Sequence, residues 1–274
     1  MHHFTTSDGL KLAYYSDDST PPWVKADTIV LLHPAMGSAQ RYFAWVPELS
    51  RHYRVLRMDM RGHGASELPG PDVPLTVERL MADVLEMLDA AGCDAAHLAG
   101  NSAGGYLAQH LAMDKPERVR SIMLFASTPG LRNSQWSSWL PEVQKVGLRA
   151  FLASNLAERL PVDRMLPDHV EWFLDEADNL DLEFGGRFVS LMSGLDWSER
   201  LPGITMPTLI VQPGIVGIGS TSQYEDMEKL IPGAQRIVYD GLPHHVCDAV
   251  PDRCVADILA FLRWNFGQPP AKRA

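Results

Sequence analysis

Among the side chains able to do chemistry, the most telling lie in Gly100-Asn101-Ser102-Ala103-Gly104. This G-x-S-x-G pentapeptide falls between a short apolar run, Ala95 to Ala99, and a helical stretch, Gly105 to Met113. So tight a turn from strand to helix forces the serine into a strained backbone conformation, while the flanking glycines keep neighbouring side chains from colliding. The hydroxyl then projects above the end of the sheet, and the helix aims its amides and positive dipole end at the same spot. Ser102 is thereby nominated as a nucleophile and the Ala103 amide as a donor to an oxyanion forming beside it. An isolated G-x-S-x-G also arises by chance, so the surrounding elements have to carry the argument.

Those elements alternate between strand and helix. Leu10 to Tyr15, Thr28 to Leu32, Arg54 to Met58, Ser121 to Phe125, Thr208 to Val211 and Gln235 to Tyr239 read as strands, as does Ala95 to Ala99. Ser38 to Leu49 reads as helical. From Leu75 to Ala91, Val77, Leu80, Met81, Val84, Leu85 and Leu88 recur at helical spacing behind a Thr76 N-cap. The pattern predicts an α/β fold, a mostly parallel sheet flanked by helices on both faces, with ligands bound at the carboxyl ends of the strands, where Ser102 falls.

Residues 129–202 break this rhythm. They lack convincing strands and carry Trp139, Phe151, Phe184, Phe188, Met192 and Trp197 among helical patterns such as Glu142 to Ala153 and Glu183 to Ser193. An all-helical insertion between two strands suggests a cap over the catalytic face, giving a core of 1–128 and 203–274 and a cap of 129–202. Most of the aromatics are expected to fill the cap's own core, with one or two lining a substrate pocket.

With 274 residues, 46% of them hydrophobic, the chain can bury one sizeable core carrying an insertion. Its net charge of −10 argues against a nucleic-acid or anionic-membrane partner. No apolar segment approaches the roughly 20 residues needed to cross a bilayer, and Met1 to Thr5 leads into an Asp8-Gly9 turn rather than a signal-peptide core. Cys93, Cys247 and Cys254 form no C-x-x-C pair, so neither a disulfide scaffold nor a zinc site is suggested. A reducing, cytoplasmic compartment is expected.

Further motifs appear in a telling order: His33-Pro34-Ala35-Met36-Gly37 after the Thr28 to Leu32 strand, Asp59-Met60-Arg61-Gly62-His63-Gly64-Ala65-Ser66 after the Arg54 to Met58 strand, and Asp240-Gly241-Leu242-Pro243-His244 running on to Pro251. Together with the serine turn they resemble the α/β-hydrolase superfamily over nearly the whole chain, in the subgroup with a helical cap between the sixth and seventh strands. The resemblance implies that the His33 to Gly37 loop supplies a second oxyanion donor. This is the Ala35 amide, because Pro34, standing where relatives have glycine, has no N–H. It implies that the Asp59 to Ser66 turn is structural. It also implies a catalytic histidine about seven residues before a proline, which makes His244 the base, with His245 the runner-up.

The resemblance also locates a gap. Relatives carry the triad acid after the seventh or the sixth strand; here the first position is Val216, and after the sixth strand the chain reads Ala126-Ser127-Thr128-Pro129. Asp226, Asp240 or Asp248 reaches the histidine from elsewhere, a hydroxyl of Ser127 or Ser220 orients it, or the chain is catalytically weak. Asp248 also suits a cap on a helix starting near Pro251. The expectation is a cofactor-free, metal-free serine hydrolase acting on an ester or lactone, or alternatively an amide or C–C bond, of a small, largely apolar substrate. Arg41, Arg132 and Arg187 are candidate carboxylate binders. A cofactor-free lyase or oxygenase on the same fold, and a non-enzymatic ligand-binding relative, are the other readings.

Overall fold

The computed structural model describes residues 1–131 and 136–267. Eight strands, β1 (His2–Thr5), β2 (Lys11–Asp17), β3 (Thr28–Leu32), β4 (Arg54–Met58), β5 (Ala96–Asn101), β6 (Val119–Phe125), β7 (Thr208–Pro213) and β8 (Gln235–Tyr239), form one sheet in the order β1-β2-β4-β3-β5-β6-β7-β8. β1 and β2 pair antiparallel, as do β2 and β4; every other pairing is parallel. All five residues of β3 are buried, as expected of a central parallel strand covered on both faces.

The α-helices in chain order are α1 (Val46–Leu49), α2 (Val77–Ala90), α3 (Ala103–Asp114), α4 (Trp136–Val146), α5 (Leu148–Ser154), α6 (Pro167–Asp178), α7 (Leu182–Ser193), α8 (Thr221–Leu230), α9 (Val246–Ala249) and α10 (Pro251–Phe266). Because side chains alternate across a strand, Val30 and Leu32 join a core with α2, α3 and α8, whereas Ile29 and Leu31 face Trp45, α9 and α10. α2 starts where its sequence dictates: the Thr76 hydroxyl accepts from the Arg79 amide at 3.2 Å.

Local differences have local causes. β1 is an extra strand at the sheet edge, too short and polar to register as one. The expected helix over Ser38 to Leu49 is instead a 3-10 turn, Ala39–Tyr42, followed by the single turn α1. The helical pattern from Glu142 is interrupted at Gly147, whose φ of +85° no helix accommodates. The connection from β6 to β7 is helical, its ends drawn together by a bridge between Gly130 and Asp196 and by the Trp197 amide donating to the Pro129 carbonyl at 3.0 Å. Phe173, Phe184 and Phe188 from this segment are continuous with the main core. Phe184 and Phe188 pack edge-on to His63, so they serve the contact between segment and core rather than a separate core of their own.

Candidate active site

Ser102 sits between β5 and α3 with φ +51° and ψ −117°, a strained conformation for a residue with a side chain. The neighbours enforce it. Its amide donates to the Phe125 carbonyl at 3.0 Å, and its carbonyl accepts from the Tyr106 amide and the Ser127 hydroxyl. Gly104 lets α3 press against β3, since a β-carbon there would run into the Leu32 carbonyl; one at Gly100 would strike the backbone of Gly104 and Gly105. Ala103 is the first residue of α3, so its amide belongs to the unsatisfied, positive end of the helix.

The loop after β3 is braced from beneath. The Met60 amide donates to His33 Nε2 at 3.0 Å, which leaves the ring proton on Nδ1 to donate to the Pro34 carbonyl at 2.8 Å. Burial, reinforced by His63, holds the His33 imidazole well below its usual range, in keeping with this neutral tautomer. His63 Nε2 lies 2.8 Å from the Ala35 carbonyl. Asp59 accepts from the Ala39 and Ala65 amides, and Arg61 is paired with Asp83 and Asp8. This charged turn therefore holds backbone in place.

Ser102, Ala35, Ala103, His244 and His245 line one cavity of about 540 Å³. His244 is 3% exposed. Burial, with the positive field of Arg159, pushes its imidazole down to about 3, and its buried Nδ1 has no hydrogen-bond partner among the described residues. A triad carboxylate normally holds that nitrogen. Val216 occupies the loop after β7, beside the histidine loop: the neighbouring Ile215 amide donates to the Leu242 carbonyl at 3.0 Å.

None of the other candidates fills the role. Asp226 and Asp240 are exposed. The Ser127 hydroxyl is committed to the Ser102 and Phe125 carbonyls, and Ser220 caps α8. Asp248 is not a helix cap, since the N-cap residue of α10 is Val250 and no side chain caps it. It lies buried in α9, 3.3 Å from Arg41 and 3.7 Å from His245 Nδ1, beyond hydrogen-bond reach of the latter. Burial raises the Asp248 carboxyl against the opposing pull of Arg41, while burial and the neighbouring His244 hold His245 well below the usual range.

Two features carried no signal in the sequence. Cys247 Sγ donates to Asn101 Oδ1 at 3.0 Å, Asn101 Nδ2 donates to the Phe125 carbonyl, and Trp45 Nε1 donates to the Cys247 carbonyl. The serine turn and the histidine loop are thus tied together. The second is Arg159, 4% exposed and lining the cavity. Of the arginines expected to meet a carboxylate, Arg41 is engaged with Asp248, Arg187 donates to the Gly70 and Val73 carbonyls, and Arg132 lies outside the described residues. Among the described residues no cluster of three or more His, Cys, Asp or Glu is arranged to hold a metal, and no helix is long and apolar enough to cross a membrane.

Residues 27–159 match the family model described as alpha/beta hydrolase fold. The whole structure also superposes on a solved hydrolase from Pseudomonas aeruginosa with a TM-score of 0.83, at 28% identity over 95% of this chain and 97% of that one. The chain has the α/β-hydrolase fold. This hydrolase is similar to 3-oxoadipate enol-lactonase 1 of Acinetobacter baylyi, 27% identical over 72% of this chain and 75% of that protein. It is also similar to the non-heme chloroperoxidase of Streptomyces lividans, 29% identical over 78% and 83% of the two chains.

Proposed function

We propose that the chain cleaves a carboxylic ester or lactone of a small, largely apolar substrate through an acyl-enzyme on Ser102. The observation that carries this reading is the strained serine at the head of α3, sharing a cavity with a buried, neutral His244. Ser102 Oγ attacks the carbonyl carbon as His244 takes its proton, and the Ala35 and Ala103 amides donate to the resulting oxyanion. Collapse breaks the bond to the leaving oxygen, which receives the proton from His244. Water, deprotonated by the same imidazole, then releases the acid and restores the serine. Residues 129–202 act as a cap, contributing Trp139, Val189 and Met192 to the apolar wall. A cytoplasmic location is in keeping with three buried, unpaired cysteines.

The test combines labelling by a fluorophosphonate probe with an ester and lactone panel on the wild type, Ser102→Ala, His244→Ala and His245→Ala. Expected are loss of labelling and turnover in Ser102→Ala, and a far larger fall in His244→Ala than in His245→Ala. Turnover surviving Ser102→Ala would sink the acyl-enzyme. The orphaned His244 Nδ1 favours one other reading, a ligand-binding relative with little catalysis, for which no member of the panel would turn over above the variants.

A further inference from the structure

Arg159 is a buried cation that no carboxylate pairs among the described residues, with only the field of the adjacent Glu158 opposing the cost of burial. The other well-buried guanidiniums are matched by carboxylates: Arg41 by Asp248, Arg57 by Asp17, and Arg61 by Asp83 and Asp8. Arg159 has no ion pair among the described residues. Its Nε donates to Asn155 Oδ1 at 2.8 Å, and its charge rests near the faces of Trp139 and Phe151. Burial draws the group down only to about 10, so it stays charged at neutral pH. A buried charge with no partner costs several kcal/mol, and neither a neutral amide acceptor nor two ring faces at 5.4 and 6.0 Å supply a full counter-charge.

The position of the group says what would. Arg159 lines the cavity that holds Ser102, Ala35 and His244, and its carbonyl accepts from the His245 amide at 3.0 Å, which fixes it to the histidine loop. The remaining wall is mainly apolar, with Trp139, Val189 and Met192, and also carries one carboxylate, Asp196, and the polar side chains of Ser193, Ser198, Ser220 and Gln223. A ligand matching this lining has an apolar body and a single anionic end. The planar guanidinium fork suits a carboxylate, which it can bind through two parallel hydrogen bonds.

We propose that Arg159 binds a carboxylate on the substrate, so that the natural substrate is an ester or lactone bearing a free acid group. The inference rests on reading the cavity as the site of hydrolysis. It assigns Arg159 a specificity role: the carboxylate anchors the molecule, the apolar wall covers its body, and the scissile carbonyl is presented to Ser102. Because Arg159 lowers the basicity of His244, the bound anion also offsets the field that opposes proton transfer from Ser102.

Binding separates this idea from the reaction itself. Calorimetric titration of Ser102→Ala with 4-phenylbutyrate and with its neutral amide, 4-phenylbutanamide, asks whether the cavity selects an anion. Expected is an affinity for the acid about 10-fold or more above that for the amide. Adding Arg159→Met should abolish the preference by weakening acid binding far more than amide binding, and Arg159→Lys should restore part of it. Equal affinities, a preference that survives Arg159→Met, or no acid binding at all would overturn the proposal. Measured Tm values confirm that the variants fold. If the acid binds through Arg159 but no ester or lactone is turned over, the hydrolase reading fails while anion recognition stands. Turnover with no anion preference leaves the hydrolase reading standing and removes the role given to Arg159.

Discussion

Val216→Asp is expected to raise kcat about 10- to 100-fold. Burial beside Arg159 takes the His244 imidazole from 6.5 down to about 3, a difference worth about 5 kcal/mol against forming the imidazolium. General-base attack by Ser102 requires that imidazolium. A carboxylate about 4 Å away in surroundings of effective dielectric near 20 attracts it by about 4 kcal/mol. Burying the new charge and losing the contacts of the half-buried Val216 side chain take back part of this, leaving about 1.5–3 kcal/mol of barrier reduction. The assay is the initial rate on the best ester of the panel as a function of pH, with Val216→Asn as a neutral control of similar shape. In Val216→Asp the acid limb of kcat/KM should move up by about one to two pH units, because the added carboxylate raises the base; in Val216→Asn it should stay put. A fall in kcat for Val216→Asp, with Tm and fluorophosphonate labelling intact, would refute the reasoning, since it would mean that His244 already has another partner.

Two other outcomes follow from packing and burial. Gly104→Ala should cost about 1–3 kcal/mol, a loss of several degrees in Tm, because its β-carbon would collide with the Leu32 carbonyl; an unchanged Tm would mean that α3 shifts at no cost. His97 and His244 both titrate near 3 in the folded protein, below the usual 6.5, so the unfolded chain binds more protons between those values. Their contribution to stability is therefore full above about pH 6.5 and lost as the pH falls towards 3, at about 1.4 kcal/mol per pH unit for each group. Urea midpoints recorded between neutral pH and about pH 4 should fall accordingly, and His97→Gln should flatten the slope by one proton; a slope unaffected by His97→Gln would refute this assignment.

What could be read in the sequence was what the chain writes locally. Ile29 to Leu32 is apolar throughout because β3 is covered on both faces, and Thr76 marks the start of α2 by its own side chain. The serine turn was legible for the same reason, its glycines being demanded by contacts a few residues away or on the neighbouring strand. The lack of an acid at Val216 was legible too, and the unpartnered His244 Nδ1 is its counterpart in space. Hidden were features made by distant segments meeting. Asp248 reads as a cap three residues before a proline, yet its surroundings come from Arg41, more than two hundred residues earlier. Nothing around Glu158-Arg159-Leu160 distinguishes Arg159 from a solvated surface arginine until the fold buries it. Glu142 to Ala153 has the periodicity of one helix, and only the positive φ at Gly147 divides it.

The hydrogen bond from Cys247 to Asn101 joins the residue directly before Ser102 to one three places beyond His244. The proposed nucleophile and base are therefore tied to each other, instead of riding on two loops that must find each other in every cycle. The entropy of bringing base to nucleophile is surrendered once, when the chain folds, and not again at each turnover.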